Sequence, residues 1–380
     1  MAKVLCIAGA RPNFMKIAPV MAALRAPESP LAVRLVHTGQ HYDVAMNERF
    51  FEQLGIPMPD IHLEVGSASH AVQTAEIMRR FEPVVDEEEP DAILVVGDVN
   101  STIACALVAA KKGVAVAHVE AGLRSYDRAM PEEINRVLTD QLSHWLFTTE
   151  RLAHDNLRRE GVADENMHFV GNVMIDTLFR NRQRAVAAGE TFARAGWANT
   201  RLAAGAYGVL TLHRPSNVDD PATLKRLLEV LRELGADLPL AFPVHPRTRS
   251  RIQAAGLAGY LDGENIFPLE PVGYLEMLGL MRGARLVLTD SGGMQEETTA
   301  LGVPCLTLRE NTERPITIEH GTNTLVGINP ERIRACFKEV LTSGGKAGRV
   351  PELWDGRAAE RIAAILAGDL AGAAPGTACA

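Results

Sequence analysis

Short runs of apolar residues alternate with longer amphipathic stretches along the first half of the chain. The apolar runs lie at residues 4–8, 33–37, 92–96, 114–118 and 145–148. Between them, residues 69–85 and 102–111 carry apolar side chains at helical spacing. Strands that alternate with helices in this way predict βαβ units around a parallel sheet.

A second series of the same kind begins after an Arg-, Ala- and Gly-rich stretch at about residues 180–206. Its apolar runs lie at residues 209–212, 240–244, 286–289 and 305–308. We therefore predict an α/β protein with two doubly wound domains that face each other across a cleft. A long helix from residue 173 to about 188 is expected to join them. Ligands bind beyond the carboxyl ends of strands in such sheets, so residues that follow strands are the site candidates.

Composition and charge narrow the class of protein. The chain has 380 residues, of which 47% are hydrophobic and 23% charged, and this excludes a disordered or fibrous chain. A formal net charge of −8 argues against nucleic acid as a partner. No apolar run reaches the length of a membrane span, so we expect a soluble, cytoplasmic protein. The five cysteines are scattered without a CxxC pair, which predicts reduced thiols and no metal site.

Two predicted strand-to-helix turns have the features of an anion site. In the first, Arg11 and Lys16 bring two cations to the start of a helix. In the second, two glycines allow a diphosphate to approach the backbone, and Glu297 is placed to accept from ribose hydroxyls. The residues of this second turn are Ser291, Gly292 and Gly293. Solvated cations and ordinary helix capping are the alternatives.

Carboxylates and histidines also follow predicted strands. Asp98 follows the strand at 92–96, Glu120 closes the strand that begins at residue 114, and Glu132 lies in the first turn of a helix that carries Arg136 four residues later. Several carboxylates at one cleft suggest general acid and base catalysis, although a surface ion pair between Glu132 and Arg136 is an alternative. His213 follows a strand of the second half. Together with a diphosphate site, these groups point to a nucleotide-sugar enzyme and leave transfer, hydrolysis and rearrangement open.

At these residues the chain resembles the non-hydrolysing UDP-N-acetylglucosamine 2-epimerase family, from Lys3 to at least Gly327. The matching strings are Gly9-Ala10-Arg11-Pro12 with Lys16, Gly97-Asp98, His118-Val119-Glu120-Ala121-Gly122-Leu123-Arg124, Pro131-Glu132-Glu133 with Asn135-Arg136, His213-Arg214, Asp290-Ser291-Gly292-Gly293 with Gln295-Glu296-Glu297, and Arg309-Glu310-Asn311-Thr312-Glu313-Arg314-Pro315. The resemblance implies two Rossmann-like domains in the glycosyltransferase B arrangement. Residues 1–172 would form the first, joined by a C-terminal helix at about 355–370, and residues 173–352 the second, UDP-binding domain.

The family interconverts UDP-N-acetylglucosamine and UDP-N-acetylmannosamine, and the resemblance implies a UDP-sugar substrate, no cofactor and a homodimer. The hydrogen at C2 of the sugar is not acidic until the C1–O bond to UDP breaks. Elimination then gives a glycal, and re-addition with protonation on the other face inverts C2. By resemblance, the catalytic positions are Asp98, Glu120, Glu132, Arg136 and His213, and the substrate-binding positions are Arg11, Lys16, Ser291, Gly292, Gly293, Glu297 and Arg314.

Departures from the family pattern keep related reactions open. Asn13-Phe14-Met15 stands where the family commonly has Glu-Ala-Ile, and Pro215-Ser216-Asn217 where it has Arg-Glu-Asn. An epimerase of UDP-2,3-diacetamido-glucuronate is therefore an alternative, as are a glycosyltransferase of the same architecture, a hydrolysing epimerase and a nucleotide-sugar sensor.

An activator site beside the active site occurs in many bacterial members of the family. Gln40 and His41 match part of it, but its Arg-Gln pair is replaced around residues 68–69. We predict weakened or absent activation by UDP-N-acetylglucosamine. The family also leads us to expect a role in polysaccharide biosynthesis.

Overall fold

The computed structural model of the chain describes residues 1–39 and 53–372. The chain divides into two compact units, Met1–Arg180 with the segment from Glu352 onward, and Asn181–Pro351. Each unit is built on one parallel sheet, with seven strands in the first and six in the second. The predicted α/β class with two doubly wound sheets is confirmed.

The first unit follows the predicted strands closely. Its strands are β1 (Ala2–Ala8), β2 (Leu31–His37), β3 (Ile61–His62), β4 (Ala92–Val96), β5 (Ala115–Ala121), β6 (Trp145–Thr148) and β7 (Met167–Phe169). They lie in the order β3-β2-β1-β4-β5-β6-β7. The direction of winding reverses between β1 and β4, and this is the point where such sheets bind ligands.

The helices of this unit cover the two faces of the sheet. They are α1 (Arg11–Leu24), α2 (His70–Glu88), α3 (Asn100–Lys111), α4 (Pro131–Leu142), α5 (Arg151–Arg159) and α6 (Val173–Asn181), with a single 3₁₀ turn at Asp164–Asn166. The spacing of Ile77, Phe81 and Val85 places one apolar face of α2 on the core. β4 is buried along its whole length, as expected of a central parallel strand.

The second unit repeats this architecture. Its strands are β8 (Gly208–Thr211), β9 (Leu240–Pro243), β10 (Ile266–Leu269), β11 (Leu286–Thr289), β12 (Cys305–Thr307) and β13 (Asn323–Leu325), in the order β10-β9-β8-β11-β12-β13. Its helices are α7 (Ala188–Arg194), α8 (Arg201–Ala204), α9 (Pro215–Val218), α10 (Pro221–Asp237), α11 (Pro246–Ala254), α12 (Tyr274–Gly283), α13 (Gly292–Leu301), α14 (Pro315–Glu319) and α15 (Pro330–Ser343), with a 3₁₀ turn at Ala258–Tyr260.

The predicted long helix at residues 173–188 is wrong. Helix α6 ends at Asn181, and α7 begins only at Ala188. The reason lies in the backbone between them, where the Val186 N–H donates to the carbonyl of Leu275 in α12 rather than to the preceding turn of a helix. A tertiary hydrogen bond has replaced the local one that helical propensity favours.

The last helix, α16 (Ala358–Gly372), belongs to the first unit and packs against α1. Asp176 of α6 fixes its N-terminus, because its carboxylate accepts from the backbone N–H groups of Ala358 at 3.2 Å and Ala359 at 2.7 Å. Within residues 1–39 and 53–372, none of the helices is long and apolar enough to cross a membrane.

Candidate active site

Glu120 stands at an irregularity near the end of β5. The pairing of β5 with β6 shifts register between Val119 and Ala121, and Glu120 lies in the left-handed region with φ of +76°. This conformation costs a non-glycine residue about 1–3 kcal/mol and is found mostly where function requires it. The buried carboxylate forms an ion pair with the buried Nζ of Lys16 in α1. The structure thus joins two predicted site residues.

Gly97 makes room for this ion pair. It follows β4 with φ of +67°, and a Cβ at this position would lie 2.9 Å from Lys16 Nζ and 3.2 Å from Glu120 Oε2. Both the backbone angle and the space therefore require glycine here.

The next residue, Asp98, forms the second pair of a carboxylate with a buried cation. Its side chain pairs with the guanidinium of Arg136 in α4, which is 3% exposed and also lies 2.5 Å from Glu133 Oε2. Asn135 holds the backbone of the same residue, since its Nδ2 donates to the Asp98 carbonyl at 2.9 Å. Arg136 is therefore buried between two carboxylates.

Glu132 differs from its neighbours. Helix α4 begins at Pro131 as predicted, and Glu132 lies half-buried in its first turn. The alternative of a surface ion pair between Glu132 and Arg136 is wrong, because the guanidinium turns to Asp98 and Glu133. Among the residues that the structure describes, Glu132 has no ion-pair partner.

Glu133 was not singled out in the sequence, yet it shapes the loop before α4. Its carboxylate accepts from the backbone N–H groups of Ser125 at 2.9 Å and Tyr126 at 2.8 Å. A carboxylate at the third position of a helix is the sequence signal, because such residues commonly satisfy nearby backbone donors.

The turn between β1 and α1 is fixed by Asn13. Its Oδ1 accepts from Gly9 N at 3.1 Å and Ala10 N at 3.0 Å, and its Nδ2 donates to the carbonyl of Val96 at 2.9 Å. This departure from the family string therefore ties α1 to the end of β4. Arg11 is the first residue of α1, but its side chain is outside the described part of the chain, as are Gln40 and His41.

In the second unit, the fully buried Asp290 follows β11 and accepts hydrogen bonds from several donors. Its carboxylate lies 2.7 Å from His213 Nδ1 and accepts from the backbone N–H groups of His213 and Arg214 and from Asn217 Nδ2. Burial favours the neutral acid, but the His213 ring and these donors outweigh it and hold the pKa of Asp290 below its ordinary value. The ionised carboxylate orients the His213 ring and leaves its Nε2 for another partner.

The glycine turn that follows is tightly packed. Ser291 is the N-cap residue of α13, and no side-chain capping bond is formed there. A Cβ on Gly292 would lie 2.7 Å from Glu313 Oε1 and 2.9 Å from Arg314 Nη1, while Gly293 is half-buried in the first turn. Arg314 is itself buried and pairs with Glu313 at 2.6 Å and Glu296 at 2.9 Å.

Glu297 is buried one turn into α13. Burial raises the pKa of its carboxyl to about 8, and its hydrogen bond with Tyr274 only partly opposes that shift. The side chain is therefore mostly protonated at pH 7. A neutral acid at this position can donate a hydrogen bond as well as accept one.

A family model described as UDP-N-acetylglucosamine 2-epimerase matches residues 23–367. The chain belongs to this family. The chain is 42% identical to the UDP-N-acetylglucosamine 2-epimerase of Methanocaldococcus jannaschii, over 96% of this chain and 98% of that protein. It is also 42% identical to the UDP-2,3-diacetamido-2,3-dideoxy-D-glucuronate 2-epimerase of Pseudomonas aeruginosa, over 96% of this chain and 99% of that protein.

The solved structures agree with the fold. The M. jannaschii epimerase, crystallised with UDP-N-acetylglucosamine and UDP, superposes with a TM-score of 0.87 at 42% identity, covering 96% of this chain and 99% of the other. The resemblance stated from the sequence is thereby confirmed, together with the Rossmann-like architecture.

Residues 1–39 and 53–372 contain no group of three or more His, Cys, Asp or Glu side chains arranged to hold a metal ion. Cys6, Cys105, Cys305 and Cys336 are free thiols.

Proposed function

We propose that this protein catalyses the reversible C2 epimerisation of UDP-N-acetylglucosamine to UDP-N-acetylmannosamine, by eliminating UDP to a glycal and adding it back. The observation that supports this most is the pair of carboxylates at the ends of neighbouring strands, Glu120 held by Lys16 and Asp98 held by Arg136. Membership of the epimerase family and 42% identity to a UDP-N-acetylglucosamine 2-epimerase support the same reaction.

The first unit would supply the proton-transfer groups. Once the C1–O bond breaks, C1 resembles an oxocarbenium ion and the C2 hydrogen becomes acidic, so a carboxylate can remove it. A second acidic group must deliver a proton to the opposite face of C2. Asp98, Glu120 and Glu132 are the residues we assign to these steps. The absence of a charge partner for Glu132 among the described residues suits a group that gains and loses a proton.

The second unit would bind UDP and stabilise it as it leaves. The backbone N–H groups at the start of α13 suit the diphosphate, next to the Ser291 hydroxyl and the two glycines. His213, oriented by Asp290, would present Nε2 to the departing diphosphate. Glu297 would contact the ribose hydroxyls. Arg314, which is paired with two carboxylates, would support the glycine turn and contribute a cation to the nucleotide site.

UDP-2,3-diacetamido-2,3-dideoxy-glucuronate is the second candidate substrate. The P. aeruginosa enzyme that is named for this sugar is as similar to the chain as the M. jannaschii enzyme, at 42% identity in both cases. Both sugars carry UDP as the leaving group, and in both the C2 hydrogen becomes acidic only as UDP leaves, so the same carboxylates would serve either one. They differ at C3 and C6, which makes direct competition between the two substrates the deciding experiment.

Several expectations from the family complete the proposal. Residues 1–172 with the C-terminal helix at about 355–370 would form the N-terminal Rossmann-like domain, and residues 173–352 the UDP-binding Rossmann-like domain. The protein would act as a homodimer in the cytoplasm and supply activated N-acetylmannosamine for polysaccharide biosynthesis. Weak activation by UDP-N-acetylglucosamine is expected because residues 68–69 lack the Arg-Gln pair.

The test is product analysis by proton NMR after incubation with each UDP-sugar. Wild-type protein should bring UDP-N-acetylglucosamine to a mixture with UDP-N-acetylmannosamine, and Glu120→Gln or Asp98→Asn should lower kcat at least about 100-fold. Glu360→Gln is the matched control, because Glu360 pairs only with the exposed Arg357 among described residues. Free N-acetylmannosamine would instead indicate a hydrolysing enzyme. Ligand binding without turnover would indicate a sensor, and turnover only with an added acceptor a glycosyltransferase.

A further inference from the structure

A buried histidine lies directly behind the two carboxylates of the first unit. His118 belongs to β5, two residues before Glu120, and its side chain is completely buried. Its Nδ1 lies 2.6 Å from Asp140 Oδ1 in α4, and its Nε2 lies 2.8 Å from the carbonyl oxygen of Gly97. The ring therefore bridges β5, α4 and the residue that precedes Asp98.

Both atoms that face the ring are acceptors. A backbone carbonyl can only accept, so Nε2 must carry a hydrogen. A guanidinium and a backbone N–H group that both point to one carboxylate favour its ionised form. Asp140 Oδ2 is already used by Gly122 N at 3.1 Å and by Arg124 Nη2 at 2.7 Å. An ionised Asp140 requires a hydrogen on Nδ1 as well, so the ring donates at both nitrogens and is an imidazolium.

The surrounding charges make this cation possible. Asp140 lies between His118 and Arg124, and Arg124 makes two further hydrogen bonds to Glu160, at 2.8 Å and 2.5 Å. The four side chains alternate in sign and sum to zero, as a buried charge requires. Only Glu160 reaches solvent, with its side chain 27% exposed.

This arrangement holds the backbone just before Asp98 and on both sides of Glu120. The ring fixes the carbonyl of Gly97, whose peptide leads directly to Asp98. Asp140 contacts the chain twice around the register shift, at His118 in β5 before Glu120 and at Gly122 just after the strand. The left-handed conformation of Glu120 therefore rests on Asp140.

We propose that His118 is a positioning residue that acts as a buried imidazolium, fixing with Asp140 the separation and direction of Asp98 and Glu120 without touching the substrate. Its effect on turnover rests on the proposed epimerase function, whereas the state of the ring does not. A displacement of about 1 Å in a catalytic group can cost about 100-fold in rate. Loss of the His118–Asp140 pair should therefore reduce kcat. It should leave the affinity for UDP unchanged, because we assign UDP binding to the second unit.

The kinetic experiment compares His118→Gln, Asp140→Asn and the double variant with His154→Gln. His154 is a matched control, because it is a partly buried histidine of the same unit that contacts Thr148 through Nε2 at 2.8 Å. Each single variant should lose about 100-fold in kcat with an unchanged Kd for UDP. The double variant should lose no more than the larger single loss, because both residues act through the same hydrogen-bonded pair. An unchanged kcat in His118→Gln, or fully additive losses, would overturn the proposal.

A second measurement keeps the proposal testable where a variant fails to fold or wild-type protein does not turn over the substrate. Nitrogen-15 NMR of histidine-labelled wild-type protein distinguishes an imidazolium from either neutral tautomer. The ring signals of His118 are assigned as those that disappear in a conservative variant of His118, or as those that shift when Asp140 is replaced. Two protonated ring nitrogens at the assay pH support the proposal, and a neutral tautomer overturns it. Failure of turnover with a doubly protonated ring would count against the proposed function alone.

Discussion

Replacing Asp290 with Asn should damage both the stability of the second unit and turnover. The wild-type carboxylate uses Oδ1 for His213 Nδ1, and Oδ2 for Arg214 N at 2.9 Å and Asn217 Nδ2 at 3.1 Å. An amide offers only one oxygen. If its nitrogen takes the Oδ2 position, two buried donors lose their acceptor, and if it takes the Oδ1 position, it faces the His213 ring hydrogen.

The magnitude follows from these contacts. Each orphaned buried donor costs about 1–3 kcal/mol, so the free energy of unfolding should fall by about 2–6 kcal/mol in the first orientation. In the second orientation, the amide nitrogen donates to His213 Nδ1, so the ring proton moves to Nε2. The ring then presents a protonated Nε2 to the ligand. Because general acid and base groups contribute about 10²–10⁴ in rate, kcat should fall within that range.

Thermal unfolding and steady-state kinetics at several pH values check this prediction. The folded-state pKa of Asp290 lies below its ordinary value, so its contribution to stability is present above about pH 4 and is lost as pH falls through the folded-state pKa. The stability gap between wild type and Asp290→Asn should therefore narrow in acid. Asp219→Asn is the control, since that carboxylate pairs with Arg247 and Arg251 near the surface. An Asp290→Asn protein with the Tm and kcat of the control would show that Asp290 does not hold His213 and the neighbouring donors in this way.

Three further outcomes are expected. Gly97→Ala should lose about 1–2 kcal/mol of stability in thermal unfolding, because an alanine is strained at this positive φ. Its kcat should also fall in turnover assays, because the added Cβ displaces Lys16. Lys16→Met should destabilise by about 3–5 kcal/mol, because it leaves the Glu120 carboxylate buried without its cation, and Lys16→Met with Glu120→Gln should recover much of that loss in urea unfolding. Glu297→Gln should gain stability over wild type as pH rises from about 4.5 to about 8, since burial raises the pKa of Glu297 to about 8, and a constant gap across that range would contradict this.

The central strands of both sheets were predictable because they are continuous apolar runs of four or more residues. Residues 92–96, 145–148 and 286–289 match β4, β6 and β11 at both ends. The short strands β3, β7 and β13 have only two or three residues and no periodicity to detect. They form because a neighbouring strand offers backbone hydrogen bonds. That pairing depends on tertiary structure and cannot be detected in the local sequence.

For the candidate site residues, too, some features could be predicted from the local sequence and others depend on tertiary structure. The rule that functional groups follow parallel strands was enough to single out Asp98, Glu120 and His213. Their partners were not predictable, because Lys16 and Glu120 lie 104 positions apart and meet only through the order of strands in the sheet. Asp290 was noticed only as part of a glycine-rich string, although its burial and four donors make it the centre of the candidate site residues in the second unit.

Epimerisation by this protein would break the C2–H bond of a UDP-sugar and remake it on the opposite face. The direct test is proton NMR of wild-type protein with UDP-N-acetylglucosamine in deuterated water, following the C2 and anomeric signals. We expect UDP-N-acetylmannosamine with deuterium at C2, while UDP-2,3-diacetamido-glucuronate exchanges more slowly. The absence of C2 exchange with both sugars would contradict it.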